Sequence, residues 1–302
     1  MKKYLIGSYI LIASLFFVSC EVNNSDPDSN QDQDSIPEIQ PDPEFFFKIG
    51  NSLYYRYSDL ELYDSSAHIL YFKTNHPEFE ENSQSVFSVI INSDTIYKGD
   101  FWPMFRSDTP TRVYIHTWPF WLQNYALWIE NRYNIIPDLR NDPVIIQAFK
   151  DRNLLHSGIN LVINSLEVTN TQASFSFTIT NKGQSALLIM DPDKMGINLF
   201  HYYTNGLLFR KTSDGSSFYV SVPAQAPSHY SVWNIDWLTK LNSNETITFN
   251  LVYPLNSPIA SSEYKVTFVY PGFNLQISKD QLIQDDARIW LGDVRASVRI
   301  SI

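Results

Sequence analysis

The chain of 302 residues predicts a mainly β protein, with an antiparallel sandwich in its C-terminal half preceded by a β-rich domain with one short helix. Two observations carry that reading. Several stretches of the second half alternate apolar and polar residues with period two, and no regular succession of strands and long amphipathic helices is present. A third concerns the core. Aromatic residues make up 15% of the chain and only 10 residues are glycine, so rings must fill much of the interior.

The second half gives the clearer elements. From Ala173 to Asn181, Phe175, Phe177 and Ile179 share one face, and Ser174, Ser176, Thr178 and Thr180 share the other. Residues 246–251 repeat the pattern with Ile247, Phe249 and Leu251, and Tyr264, Val266 and Phe268 repeat it again. The C-terminus sets Val294, Ala296, Val298, Ile300 and Ile302 against Arg295, Ser297, Arg299 and Ser301. Alternation of this kind means strands with one buried face. Asn205-Gly206 between two aromatic-rich runs predicts a type I′ hairpin. The order of features, namely Thr180-Asn181-Lys182-Gly183, the hairpin, Asn244-Glu245-Thr246 and Tyr264-Lys265-Val266, resembles a bacterial immunoglobulin-like module over residues 159–302. Such a resemblance implies an architecture and no activity.

In the first half, residues 68–74 and 85–91 read as strands, the latter turning at Asn92-Ser93-Asp94 into Thr95-Ile96-Tyr97. Residues 112–118 and 126–133 are further strand candidates. Asp142-Pro143 supplies an N-cap and a first helical residue for a short helix to Asn153, with Ile145, Ala148 and Phe149 on its apolar face. Residues 45–302 exceed the usual size of one core. We therefore expect an N-terminal β-rich domain over 45–157 and a sandwich over 158–302, with the break near Leu154-Leu155-His156-Ser157-Gly158.

Residues 1–19 read as a signal peptide. Lys2 and Lys3 form a positive n-region, Tyr4 to Val18 form an apolar run, and Ser19 is a small residue at the cut. That run is shorter than the roughly 20 apolar residues that span a bilayer. Leu15-Phe16-Phe17-Val18-Ser19-Cys20 resembles a lipobox of the looser kind found in Bacteroidota lipoproteins, with Phe17 where leucine is usual. The resemblance implies acylation of Cys20, a membrane partner through those acyl chains, and an outer-membrane location; the acidic residues directly after Cys20 resemble the export signal of surface-exposed Bacteroidota lipoproteins, which implies a face toward the cell surface. The alternative is an ordinary secretory signal followed by a coincidental cysteine. Cys20 is the only cysteine, so an intramolecular disulfide, a Cys-ligated zinc site and a thiol nucleophile are excluded.

Residues 20–44 read as a lipidated acidic tether. Glu21, Asp26, Asp28, Asp32, Asp34, Glu38, Asp42 and Glu44 stand among Asn, Gln, Ser and four prolines, with no basic residue. Such a segment cannot bury enough apolar surface to offset its ordering entropy. At about 3.3 Å per residue it reaches up to about 80 Å. The formal net charge is −10; the leader removes +2 and the tether supplies −8, so residues 45–302 carry only −4. That charge, without a basic patch, argues against nucleic acid as a partner. Asp26, Asp28, Asn30 and Asp32 alternate as in a calcium loop, but Gln31 and Pro37 stand where its glycine and bidentate glutamate belong, which favours a solvated spacer.

Chemical motifs are sparse. HExxH, GxSxG, GxxxxGK and GxGxxG are all missing, and His68, His76, His116, His156, His201 and His229 are scattered without metal-ligand spacing. No cofactor or metal is therefore expected. Asp191-Pro192-Asp193-Lys194-Met195-Gly196 is a second calcium-like fragment, in which Met195 fills a ligand position, so a polar turn is the better reading. The densest unusual feature is aromatic. Phe101, Trp102, Phe105, Tyr114, Trp118, Phe120, Trp121, Tyr125 and Trp128 fall within one short stretch. They form either core or a recognition surface, since exposed Trp and Tyr faces stack on sugars and peptides. As a surface, Trp102, Trp118, Phe120 and Trp121 are the candidate ligand-binding residues, because Pro119 takes the last three out of a sheet. Three functions stay open: a non-catalytic binding protein with a glycan or protein partner, a structural subunit of an envelope or fimbria-like assembly, and an unrecognised hydrolase. The first is favoured, with no catalytic residue named.

Overall fold

Period-two alternation becomes strand wherever one face can be buried, and most of the fold follows from that rule. The computed structural model describes residues 44–50, 53–76, 86–103, 106–117, 124–133, 135–229, 232–273 and 277–302. Residues 1–43, on which the signal-peptide, Cys20 and tether expectations fall, lie outside the described residues. Residues 42–302 form one compact unit, mainly β.

The N-terminal half runs β1 (Phe45–Ile49), β2 (Leu53–Arg56), β3 (Leu60–Asp64), β4 (Ile69–Phe72), β5 (Val86–Ile91), β6 (Asp94–Trp102), β7 (Tyr114–His116), β8 (Ala126–Trp128), helix α1 (Pro143–Asp151) and β9 (Leu155–His156). One sheet has the order β2-β1-β5-β6-β7 and a second the order β8-β4-β3-β9. Asn92 and Ser93 turn β5 into β6 with φ of 49° and 74°. The Asp142 side chain accepts from the N–H of Val144 at 2.9 Å and caps α1, whose Ile145, Ala148 and Phe149 are buried. Phe149 meets Phe45 edge-on, with ring centroids 4.9 Å apart.

The C-terminal half runs β10 (Ile159–Val168), β11 (Gln172–Asn181), β12 (Leu187–Met190), α2 (Pro192–Met195), α3 (Ile197–Thr204), β13 (Leu207–Lys211), β14 (Ser217–Val220), β15 (Leu238–Leu241), β16 (Thr246–Pro254), β17 (Glu263–Pro271), β18 (Ile283–Gln284), β19 (Ala287–Ile289) and β20 (Asp293–Ser301). The β10-β11-β16 sheet and the β14-β13-β17-β20 sheet are antiparallel throughout. They face each other through rings: Phe268 lies 5.0 Å from Phe175 and 4.8 Å from Phe177. A third sheet, β15-β12-β19-β18, is mixed, with β12 parallel to β19.

Two cores share the middle strands. Tyr63, Leu70, Phe72 and Leu127 point into a core made by the N-terminal half. Their neighbours Leu62, Ile69, Tyr71 and Ala126 point into the sandwich core. Strand β4, Ile-Leu-Tyr-Phe, is therefore apolar at every position because it is buried on both faces. The segment from 154 to 158 is pinned into this junction. The N–H of Tyr63 donates to the Leu154 carbonyl, and the N–H of Ser65 to that of His156, both at 2.8 Å. Gly158 has φ of +57°, and a Cβ there would lie 1.9 Å from Ser66 Oγ and 2.3 Å from Asp64 Oδ1, so both backbone and space demand glycine.

Two local expectations change. Asn205-Gly206 does not close a hairpin: residues 197–204 form α3, and Asn205 is its left-handed C-cap with φ of 58°. An Asn-Gly pair offers two left-handed residues, and a helix end uses them as readily as a type I′ turn. Asp191, in the calcium-like fragment, caps α2 by accepting from the N–H groups of Asp193 and Lys194, and also accepts from the Thr239 hydroxyl. Its carboxylate is committed to capping a short helix, where a polar turn between strands was the expectation.

Candidate functional site

A cleft of about 580 Å³ opens where the end of β8 and the loop to residue 141 meet the β3–β4 turn and the starts of β10 and β20. Backbone pairing positions its first acid. Glu130 and Tyr114 form an antiparallel bridge, with N–H···O distances of 2.7 and 3.0 Å, which ties the end of β8 to β7. The N–H of Ile129 donates to the His68 carbonyl at 3.0 Å, which fixes the β3–β4 turn against the same strand. Asn131 then closes the following loop, accepting from the N–H of Ile135 and donating to its carbonyl.

Three acid–arginine pairs line the cleft, each built from residues two apart. Glu130 pairs with Arg132. Asp138 holds Arg140 in a fork, with Nε at 2.9 Å and Nη2 at 2.7 Å, while Arg140 Nη1 donates to the Ile129 carbonyl. Asp293 and Arg295 stand 3.6 Å apart at the start of β20. On β20, residues at i and i+2 of the extended chain project to the same side, whereas Asp138 caps the short 3-10 turn Leu139–Asn141 that carries Arg140; each pair is local either way. Only the fold brings 130–140 and 293–295 to one cavity. Apolar wall is supplied by Ile135, Ile159, Leu161 and Val294.

Glu130 is the cleft carboxyl that the fold holds above its ordinary range. Its side chain is 2% exposed, and burial raises its carboxyl to about 7, helped by Asp293 and opposed by Arg132. His116 Nε2 stands 3.6 Å from Glu130 Oε1, an ion-pair distance longer than a hydrogen bond. Burial and then Arg132 lower the His116 imidazole, while the Trp102 carbonyl 3.2 Å from Nδ1 opposes them. That carbonyl can only accept, so Nδ1 carries the proton and Nε2 faces the Glu130 carboxyl as an acceptor. Burial holds His68 down at about 3, with Arg140 adding to the effect, and its Nδ1 lies 2.9 Å from the Tyr63 hydroxyl. Asp138 is raised by burial, but the hydrogen bonds and charge of Arg140 outweigh this and keep it below the usual carboxylate range.

The Glu130 shift makes a stability prediction. Because its folded value lies above the ordinary 4.5, the carboxyl stabilises the fold fully below that pH and ceases to as pH rises to about 7. The urea midpoint of the wild type relative to Glu130→Gln should therefore fall across that window and level off above it. A midpoint difference that rises with pH would mean Arg132, not burial, governs the group.

Of the four aromatic candidates, one lies among the described residues. Trp102 ends β6 at 6% exposure, with the Arg106 guanidinium 3.9 Å from its ring centroid, so it offers no open ring for stacking. Tyr114, Phe101 and Tyr125 are buried in the same way. Trp118, Phe120 and Trp121 lie outside the described residues. In the sequence each acid–x–Arg pair of the cleft reads as surface charge; the recurrence of Glu130-Asn131-Arg132, Asp138-Leu139-Arg140 and Asp293-Val294-Arg295 is the one local signal. Among the described residues, no three His, Cys, Asp or Glu side chains are grouped to hold a metal ion.

No protein-family model matches the chain, and no curated protein matches it. Two solved structures of a β-glucosidase from Kluyveromyces marxianus, one selenomethionine-labelled and one with glucose, are similar to it at 12% and 14% identity. Each match has a TM-score of 0.23 and covers 48% of this chain but only 14% of the enzyme chain. A superposition at that level carries no functional argument.

Proposed function

We propose that the chain is a lipid-anchored envelope lipoprotein whose folded part is a non-catalytic binding module, with the cleft beside Glu130 as its ligand site. The observation that carries the binding reading is the cleft itself: about 580 Å³, lined by rigidly paired polar groups over an apolar wall. Small-molecule sites are typically cavities of about 300–1,000 Å³ with a few oriented polar groups. The C-terminal half is similar in layout to an immunoglobulin-like sandwich, a scaffold suited to presenting such a site away from a membrane. The anchor reading rests on Lys2-Lys3, the apolar run and Ser19-Cys20, and the surface location on the acidic residues after Cys20.

The anchor has a direct test. Cys20→Ala should abolish incorporation of labelled palmitate and move the protein from the detergent phase to the aqueous phase. Continued membrane retention of the unlabelled variant would sink the lipoprotein assignment. For the cleft, a bound ligand should protect amide hydrogens of residues 130–140 and 293–295 from exchange together.

A hydrolase is the second reading, favoured by one feature: Glu130 titrates near neutrality beside a neutral imidazole. Against it stands the 2% exposure of the Glu130 side chain, which leaves little of the carboxyl within reach of a substrate. Turnover of any ligand found, lost in Glu130→Gln with binding retained, would favour the enzyme.

A further inference from the structure

We infer that the cleft takes a neutral, hydroxyl-rich ligand, a saccharide; this rests on reading the cleft as the binding site. The argument begins with charge. Arg132, Arg140 and Arg295 are each paired with their own acid two residues earlier, so the three formal positive charges face three negative ones. An anion such as a phosphate or carboxylate is best held by an arginine fork that its own chain has left open, and the Arg140 fork is closed by Asp138. A cation would likewise need an acid without a counter-charge. The pairing leaves little net field for either sign.

What the pairs do offer is donors and acceptors side by side, held in place by one another. A sugar hydroxyl both donates and accepts, so adjacent hydroxyls can bridge an N–H of Arg295 and an oxygen of Asp293, whose side chain is 19% exposed. Arg132 and Arg295 are reachable, with side chains 45% and 36% exposed, whereas Arg140 at 12% serves as the fixed floor. The C–H faces of a sugar ring match the other part of the lining. Ile136 is 89% exposed at the cleft rim, and Ile135 and Val294 continue the apolar wall inward. An exposed isoleucine beside a rigid polar array is a surface that gains from covering by a ligand with one apolar and one hydroxylated aspect.

The test uses the full chain carrying Cys20→Ala, applied to an array of neutral oligosaccharides, sialylated and sulfated oligosaccharides, and random heptapeptides. Neutral saccharides should be retained. Their affinity should change less than about twofold between about 0.1 and about 0.5 M NaCl, since no net charge is there to be screened. Arg295→Ala removes a partly exposed side chain at the rim and should weaken binding at least about tenfold, or 1.4 kcal/mol. Thr248→Ala, on the outer face of the sandwich, should leave it unchanged. Retention of sulfated glycans or of peptides, weakened by salt and by Arg295→Ala, would overturn the ligand class and leave the cleft standing as the site. Binding indifferent to Arg295→Ala, or none to any probe, would overturn both.

Discussion

Replacing Arg288 with methionine should destabilise the protein by about 3–5 kcal/mol, because it strands a buried carboxylate at the junction of the two cores. Asp64 ends β3 with its side chain fully buried, and Arg288 sits in β19 at 4% exposure. Arg288 Nη2 donates to Asp64 Oδ2 at 3.1 Å and Nη1 donates to the Tyr71 hydroxyl at 2.8 Å. The other Asp64 oxygen accepts from the N–H and hydroxyl of Ser66. One guanidinium therefore joins a strand of the N-terminal half to a strand of the C-terminal half. The expected result is a large drop in urea midpoint, with fluorescence and circular dichroism still falling in one transition. Asp64→Asn together with Arg288→Met should recover part of the loss, since the stranded charge is then gone. A single-variant loss below about 1 kcal/mol would show that Asp64 finds water or another partner at the junction.

Phe177→Ala should cost a similar amount, about 3–5 kcal/mol, for a different reason. The ring is fully buried at the centre of the sandwich. It lies between Phe175 at 5.5 Å and Phe249 at 5.3 Å on its own sheet, and Phe268 at 4.8 Å and Tyr270 at 6.1 Å on the facing one. Removing it opens a cavity lined by four rings, none of which can collapse into it without leaving its own partners. The neighbouring Thr178→Ala provides the contrast. Thr178 points to the outer face, where its hydroxyl meets that of Thr248 at 2.8 Å and accepts from Asn164. That variant should lose no more than about 1 kcal/mol. Thermal melts of the two variants read the difference directly. Equal midpoints would contradict the facing of the β11 and β17 sheets.

The ring-built core of the sandwich was legible because period two is a local property. Ala173, Phe175, Phe177 and Ile179 are all buried in β11, and Tyr264, Val266 and Phe268 in β17, as their alternation requires. The N-cap of α1 was legible too, since Asp142-Pro143 satisfies the helix start with residues already adjacent in the chain. Harder cases were those in which one local signal serves two structures. Asn205-Gly206 states that two left-handed residues occur there, without stating whether a helix or a strand precedes them. The aromatic run of α3, Ile197–Thr204, carries little propensity to decide it, and packing of Phe200 and His201 into the interior does.

Sequence alone determined the alternating strands of the sandwich, which face of each is apolar, where α1 begins, and that residues 21–44 are acidic. Tertiary structure alone decided the cleft. Glu130 and Asp138 are eight residues apart, Asp293 is more than 150 residues beyond them, and each with its arginine looks like an ordinary solvated pair. They come to line one cavity because the Glu130–Tyr114 bridge, the β3–β4 turn and the start of β20 close around it. Burial, which raises Glu130 and lowers His116, is a property of that closure. A chain can state its own alternation through neighbours two residues away; it cannot state how much water its distant segments will exclude.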